Sequence, residues 1–290
     1  SRVVMKTKNT TLEEIEVTQE LEGKIHKKAG WYSTVSFQDV TDKNNFKDVE
    51  QVMTQALKLM YDKLGLKEDG KVLVVGLGNE KSTPDSLGPK SIDQVLVTRH
   101  LFLLGEVEEG YRNTASFKPS VTGTTGIETK DLMEAIKEKI NPDLIIVIDA
   151  LATNSIERLN KTIQLATSGI SPGSGIGNNR AEISEKTLGV PVLAIGIPTV
   201  VDASTIVQNT LQLLLKQMSY KLNNQDNDKL KLIPLNKQDY KNHQGELTSE
   251  QKEDVLGMVG LLTEKELKSL LLEVLLPVNY NLMVTPKEID

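Results

Sequence analysis

The chain has 290 residues, 38% hydrophobic and 26% charged, which allows one large or two small domains and excludes a disordered chain. The formal net charge of −6 argues against a nucleic-acid-binding protein, because such a protein needs a basic face. The lack of Cys excludes disulfides, thiolate catalysis and Cys-ligated zinc, and it suits a reducing compartment. No apolar run reaches the ~20 residues that a membrane helix needs.

The N-terminal part predicts short strands followed by a helix. Strands are expected at residues 2–6, 13–17 and 31–37, where β-forming residues cluster. Residues 42–47 are polar and predict a linker. From residue 49 the apolar residues recur with a helical period, and the predicted helix ends near residue 65.

Three segments that are apolar apart from Lys71 predict buried strands, at residues 71–77, 144–148 and 192–197. Apolar residues with a helical period predict helices around them, at residues 92–101, 129–140 (with Thr129 as the N-cap) and 202–218. Buried strands that alternate with helices are typical of an α/β fold. We therefore expect three layers, with a mainly parallel sheet and helices on both faces.

The domain prediction is a single domain over residues 1–290. It would consist of a short β-rich part at 1–45, an α/β core at 46–220 and a C-terminal extension at 221–290. The extension starts with a polar connection and continues with two capping-box motifs, each of which predicts the start of a short helix.

Polar residues that follow the buried strands are the candidate site, because ligands bind beyond the carboxyl ends of strands in such sheets. Asp85 follows the first strand and Asp149 follows the second. Two close carboxylates can share one proton and act on a water molecule as general acid and general base. The same pair could hold a divalent metal, or each Asp could simply cap a helix.

Glycine-rich segments suggest further contacts for a substrate or an oxyanion. Gly76-x-Gly78 lacks the third glycine of a dinucleotide fingerprint, so a tight turn is favoured there. Residues 169–179 and 121–128 could each line a cleft or only turn the chain. The candidates for these contacts are Gly78, Asn79, Thr83, Thr124, Thr125, Gly126, Glu128, Ser174 and Gly175.

Several long segments, which follow one another in the expected order along the chain, resemble the germination proteases of spore-forming bacteria. They include 74–102, 123–129, 141–158, 168–177, 194–203, 256–260 and 281–290. The resemblance implies a phosphorylase/hydrolase-like fold, similar to that of hydrogenase maturation proteases. It also implies that Asp85, in Thr83-Pro84-Asp85, and Asp149, in Ile148-Asp149-Ala150, are the catalytic aspartates.

The resemblance further implies the biological role. It predicts an endopeptidase, made as a zymogen and assembled as a homotetramer. The enzyme would initiate the degradation of small acid-soluble spore proteins in the cytoplasm of the spore core. We expect neither a nucleic-acid partner nor a membrane partner.

The sequence leaves the mechanism open between three possibilities. In the first, Asp85 and Asp149 activate water without a cofactor, and either one could be the base. In the second, the same acids bind a metal, as in hydrogenase maturation proteases, which hold nickel with two acids and a His. No counterpart of that His is found in this sequence, so no metal is expected. The third is a non-catalytic metal-binding or scaffold protein on the same fold.

Overall fold

The computed structural model describes residues 2–25, 27–173, 180–201 and 206. The chain divides into two compact units, of which the first comprises residues 1–153 and 158–200 and the second comprises 154–157 and 201–290. The fold described below is that of the first unit. The predicted helix at 202–218 and the predicted C-terminal extension lie outside the described residues, and the single-domain organisation stays a prediction.

The described strands form one mixed sheet. They are β1 (Arg2–Lys6), β2 (Thr10–Val17), β3 (Gly30–Phe37), β4 (Val72–Gly76), β5 (Thr114–Phe117), β6 (Leu144–Thr153), β7 (Thr162–Ala166) and β8 (Val192–Val201). Their order across the sheet is β1-β2-β3-β7-β8-β6-β4-β5. At one side β4 lies parallel between β5 and β6. From β1 through β2, β3 and β7 to β8, each neighbouring pair is antiparallel.

The described helices connect and cover these strands. They are α1 (Gln19–Ile25), α2 (Lys43–Lys63), α3 (Leu87–Ile92), α4 (Arg99–Leu104), α5 (Thr122–Thr125), α6 (Thr129–Ile140) and α7 (Glu185–Leu188). A 3-10 turn spans Thr83–Asp85, and another, Ile156–Arg158, has its first two residues in the second unit. None of the helices in the described part of the chain is long and apolar enough to cross a membrane.

Around β4 and β6 both faces of the sheet are buried, which explains why β4 and the first five residues of β6 are apolar. Val74 of β4 belongs to one buried cluster with Met60 of α2, while the adjacent Leu73 belongs to a second cluster with Met133 of α6. Successive strand residues point to opposite faces, so these two clusters lie on the two sides of the sheet. The predicted three-layer α/β fold is confirmed, and in the described pairings β4 runs parallel to both β5 and β6.

Helix α2 begins earlier than the sequence predicts, within the expected linker at 42–47. Asp42 is its N-cap, and its carboxylate accepts hydrogen bonds from the N–H groups of Asn44 at 2.8 Å and Asn45 at 3.1 Å. These bonds satisfy N–H groups that would otherwise have no partner in the first turn. A polar first turn therefore belongs to the helix, whose buried residues begin only at Val49.

Other boundaries also differ from the predictions. The single helix predicted at 92–101 is wrong, because α3 ends at Ile92 and α4 starts at Arg99. In between, the Thr98 N–H donates to the carbonyl of Thr114 at 3.0 Å, and this bond ties the segment to the start of β5. Glu128, not Thr129, occupies the N-cap position of α6. Strands β5 and β7 and helix α1 were not predicted.

Candidate active site

Asp149 lies inside β6 and is only 5% exposed. The strand continues four residues beyond it, to Thr153, although the sequence predicts an end at residue 148. One carboxylate oxygen, Oδ1, accepts a hydrogen bond from the Ala150 N–H at 2.9 Å. Because Asp149 is a strand residue, the interpretation of it as a helix cap is wrong.

Asp85 ends the 3-10 turn that follows β4. The Asn79 N–H donates both to the Asp85 carbonyl at 3.0 Å and to carboxylate Oδ2 at 2.8 Å, so backbone and side chain are fixed together. Ser86 occupies the N-cap position of α3 and makes no side-chain capping bond. The capping interpretation is therefore wrong for Asp85 as well.

Two glycines allow the close approach of the segments that carry these acids. Gly78 has φ +114°, and a Cβ there would lie 2.1 Å from the Asp85 carbonyl oxygen. A Cβ at Gly88 would lie 2.2 Å from the Leu77 oxygen and 2.5 Å from the Ile148 oxygen. No side chain fits at such distances, so α3 can pack against β4 and β6 only through glycine. This geometry supports the tight-turn interpretation of the glycines in this segment.

Asp85 and Asp149 together line two adjoining recesses. The narrow recess has a volume of about 60 Å³ and is lined by Leu77, Gly78, Asp85, Ser120, Val121, Thr129, Asp149, Pro172, Gly173 and Arg180. The wide recess has a volume of about 300 Å³ and is lined by Ser82, Pro84, Asp85, Asp149, Ala150, Leu151, Ala152, Ile170, Ser171, Gly173, Thr199 and Val200. The two carboxyls thus separate a water-sized space from one that could take a substrate residue.

The end of β8 also contributes to the wide recess. The Thr199 hydroxyl donates to the Pro84 carbonyl at 2.5 Å, and this bond connects β8 to the turn that carries Asp85. Thr199 follows the third predicted strand but lies within the observed β8. The second halves of β6 and β8 therefore meet the turn after β4 at this site, close to where ligands bind in α/β sheets.

The surroundings of the two carboxyls give them different proton affinities. Burial, followed by the negative charge of Asp85, raises the pKa of Asp149 to about 7, although the Ala150 N–H and the charge of Arg180 oppose the change. Burial also raises the pKa of the half-buried Asp85, while the Asn79 N–H and Arg180 lower it. Asp149 is therefore the carboxyl that keeps a proton to near-neutral pH, and Asp85 is the one that ionises first.

Arg180 is the site residue that the sequence did not predict. It lines the narrow recess together with both acids, and its charge lowers the pKa of each. In the sequence it directly follows the glycine-rich segment 169–179. A single Arg outside any motif gives no local signal. Only the fold shows that it faces two acids 31 and 95 positions before it in the chain.

Of the other residues predicted to contact a substrate or an oxyanion, some lie at the recesses and some do not. Gly78 lines the narrow recess, and Asn79 holds Asp85 through its N–H, which is therefore not free for an oxyanion. Thr83 starts the Asp85 turn. Four candidates are exposed and do not belong to the described lining of either recess; they are Thr124, Thr125, Gly126 and Glu128. Ser174 and Gly175 lie outside the described residues.

The described residues do not fit a metal centre at this position. They contain no group of three or more His, Asp or Glu side chains that could hold a metal ion. Arg180 instead places a fixed positive charge in the same recess, which disfavours a second cation.

A larger cavity, of about 560 Å³, lies at the start of α2, among residues that include Asp39 and Asp42. Two of its three acids serve local structure. The Asp39 carboxylate accepts bonds from the N–H of Thr41 at 2.8 Å and from its hydroxyl at 2.7 Å, and the hydroxyl bond is the main cause of the lowered pKa of Asp39. Asp42 caps α2. Size alone therefore does not identify the site.

Comparison with known proteins gives a consistent result. A family model described as germination protease matches residues 3–290. The germination protease of Priestia megaterium is 44% identical over 290 residues, covering 95% of this chain and 77% of the relative. That of Bacillus pumilus is 45% identical over 285 residues, covering 95% and 76%.

One solved structure is also similar. It is a NiFe hydrogenase maturation protease from Thermococcus kodakarensis, matched over 47% of this chain and 83% of that chain at 12% identity and a TM-score of 0.29. A TM-score this low does not establish a shared fold, so the fold is assigned from the strands and helices described above.

Proposed function

This chain belongs to the germination protease family and is a protease, and on that premise we propose that it hydrolyses peptide bonds with a water molecule activated by Asp85 and Asp149. The observation that carries this proposal is that both acids line the same two recesses although they are unequally buried. Two carboxyls whose surroundings separate their pKa values are the usual arrangement for one base and one acid.

The unequal burial assigns the two roles. Asp85, which ionises first, takes a proton from the water as the water oxygen attacks the scissile carbonyl carbon. Asp149, still protonated, donates a hydrogen bond to the carbonyl oxygen and stabilises the charge that develops there. When the tetrahedral intermediate collapses, Asp149 gives its proton to the leaving amine. The proton taken up by Asp85 leaves the pair with its original single proton.

Substitution of each acid tests the pair. Asp85→Asn and Asp149→Asn should each lower the cleavage rate by about 10²–10⁴-fold, since an amide can neither accept nor release the proton. Asp62→Asn, at an exposed position of α2, is the matched control and should cleave at the unchanged rate. Circular dichroism would verify that the variants are folded. Undiminished cleavage by either site variant would refute the pair.

We also propose the substrate and the place of action. The resemblance of the sequence to germination proteases supports small acid-soluble spore proteins as the substrate, cleaved in the spore core. The wide recess, at about 300 Å³, is large enough for a substrate side chain next to the acids. Incubation with a purified small acid-soluble spore protein should give discrete fragments by mass spectrometry. An intact substrate beside a general peptide that is cleaved would refute the substrate assignment.

Removal of metal separates this proposal from a metal-dependent mechanism. Because the described site offers two acids and a guanidinium, protein dialysed against a chelator should cleave at its original rate. Activity that is lost and then restored by one added metal ion would favour the metal-dependent alternative.

Activation and assembly are the remaining parts of the proposal. The family resemblance supports a zymogen that loses an N-terminal segment and a homotetramer. Exposed apolar side chains next to or within α4, among them Leu96, Leu103 and Leu104, are consistent with a surface that other copies cover. Light scattering of the active protein should give four times the chain mass. A monomer that retains full activity would contradict the tetramer.

A further inference from the structure

The described lining of the two recesses contains three charged side chains, Asp85, Asp149 and Arg180. All three line the narrow recess, whose volume of about 60 Å³ leaves room for little more than water. No ion pair among the described residues includes Arg180. The guanidinium is therefore not engaged in a structural salt bridge within that part of the chain.

The charge of Arg180 balances the charge of the working pair. A carboxyl pair with one proton carries a single negative charge, and a guanidinium carries a positive charge at any pH at which the protein is folded. In a recess with little water, a group of charges that sums to zero costs much less free energy to bury than an isolated anion. The backbone N–H groups of Asn79 and Ala150 each bond one carboxylate oxygen, but they carry no net charge.

Without that cation the pair would hold its second proton to higher pH. Burial raises the pKa of both acids, and their mutual repulsion adds to this for Asp149, whereas Arg180 acts against the rise on both. Removing the positive charge would favour the doubly protonated pair, which has no ionised oxygen to take a proton from water.

We propose that Arg180 is a positioning residue that holds the Asp85–Asp149 pair in its singly ionised form. It acts through the two acids, and it selects their protonation state within the narrow recess. The inference rests on the proposed function and adds a third residue to the site.

The test compares the pH dependence of kcat/KM in charge-removing and charge-retaining variants. Arg180→Gln should move both limbs of the bell-shaped profile to higher pH, and the rate on the acid limb should fall about tenfold. Arg180→Lys should keep the limbs of the unmodified protein, because the charge remains. Arg99→Gln, at the start of α4 and outside the described lining, is the matched control and should leave the profile unchanged.

Three outcomes would overturn the inference. Arg180→Gln with unmoved limbs and a raised KM would make Arg180 a substrate contact. Limbs that move equally in the Lys and Gln variants would show that shape, and not charge, matters. Unmoved limbs with unchanged kcat and KM would exclude any role. If Arg180→Gln does not fold, Arg180→Met replaces it with the same expectation.

The failure of this inference and that of the proposed function can be distinguished. Loss of cleavage in Asp85→Asn together with unmoved limbs in Arg180→Gln would overturn only the role of Arg180. Cleavage retained in Asp85→Asn would overturn the proposed function itself.

Discussion

At the scale of single residues, the proposed site combines two requirements that oppose each other. Asp149 must be buried to keep its proton, yet a buried carboxyl becomes unfavourable once it ionises. Only one of its oxygens accepts a described hydrogen bond, from Ala150. The protein therefore maintains a group in a state that disfavours folding above neutral pH, as is common at active sites.

Stability measurements can detect this conflict. The pKa of Asp149 is about 7 when folded and near 3.8 when unfolded, so between these values the folded state binds more protons. The stability that this group contributes is present below pH ~4 and is lost as the pH rises through the folded pKa. Asp149→Asn removes the ionisation and should gain stability relative to the unmodified protein between those limits.

Urea denaturation at about pH 4 and about pH 8 would check this prediction. Relative to the unmodified protein, Asp149→Asn should have a larger free energy of unfolding at about pH 8 than at about pH 4. A difference that is the same at both pH values, or that shifts against the variant, would contradict the buried, protonated state of Asp149.

At the scale of elements, the placement of α3 decides where Asp85 lies. The helix follows the Asp85 turn directly and meets β4 and β6 at Gly88, where backbone approaches backbone. The position of the acid thus depends on a contact that no side chain can replace.

Gly88→Ala tests this contact. A Cβ would lie 2.2 Å from the Leu77 oxygen, so α3 must shift, at a cost of about 1–3 kcal/mol or more, and cleavage should fall as Asp85 moves with it. Gly123→Ala is the matched control, because nothing lies within 4 Å of a Cβ there. Equal stability of the two variants in urea denaturation would contradict the close packing of α3.

At the scale of the whole described unit, two buried clusters on opposite faces stabilise the sheet. Met60 and Met133 are each 0% exposed, one in each cluster. Their equal burial indicates that neither face is a minor one.

Truncation of each methionine should therefore be similarly costly. Met60→Ala and Met133→Ala should each lower the free energy of unfolding by about 2–5 kcal/mol, through lost contacts and a cavity. Leu103→Ala, at a side chain that is 73% exposed, should change it little. A negligible effect of either methionine variant in denaturant titration would show that its face of the sheet is not a core.

The sequence was sufficient for the parts of this molecule that depend on local patterns. Strand β4 and the first halves of β6 and β8 are apolar on both faces, so composition alone predicts that they are buried. Strands β5 and β7 were missed, because with four and five residues they are strands only through pairing with their neighbours.

The candidate site, too, could be predicted only where it depends on local patterns. Strand ends and the family resemblance point to Asp85 and Asp149, and the fold brings both acids to the same two recesses. The difference between them arises from burial, which is a tertiary property. The same is true of Arg180, whose role depends entirely on what the fold places beside it.

The most direct test of the central claim, that the two acids share one proton, is a carbon-13 NMR titration of the aspartate carboxyls in the intact protein. Asp85 should ionise first, and Asp149 should keep its proton until about pH 7. Assignment of the two resonances would come from Asp85→Asn and Asp149→Asn. If both carboxyls instead ionise together near the ordinary aspartate value of about 3.9, no proton is available for the leaving amine, and the account is contradicted.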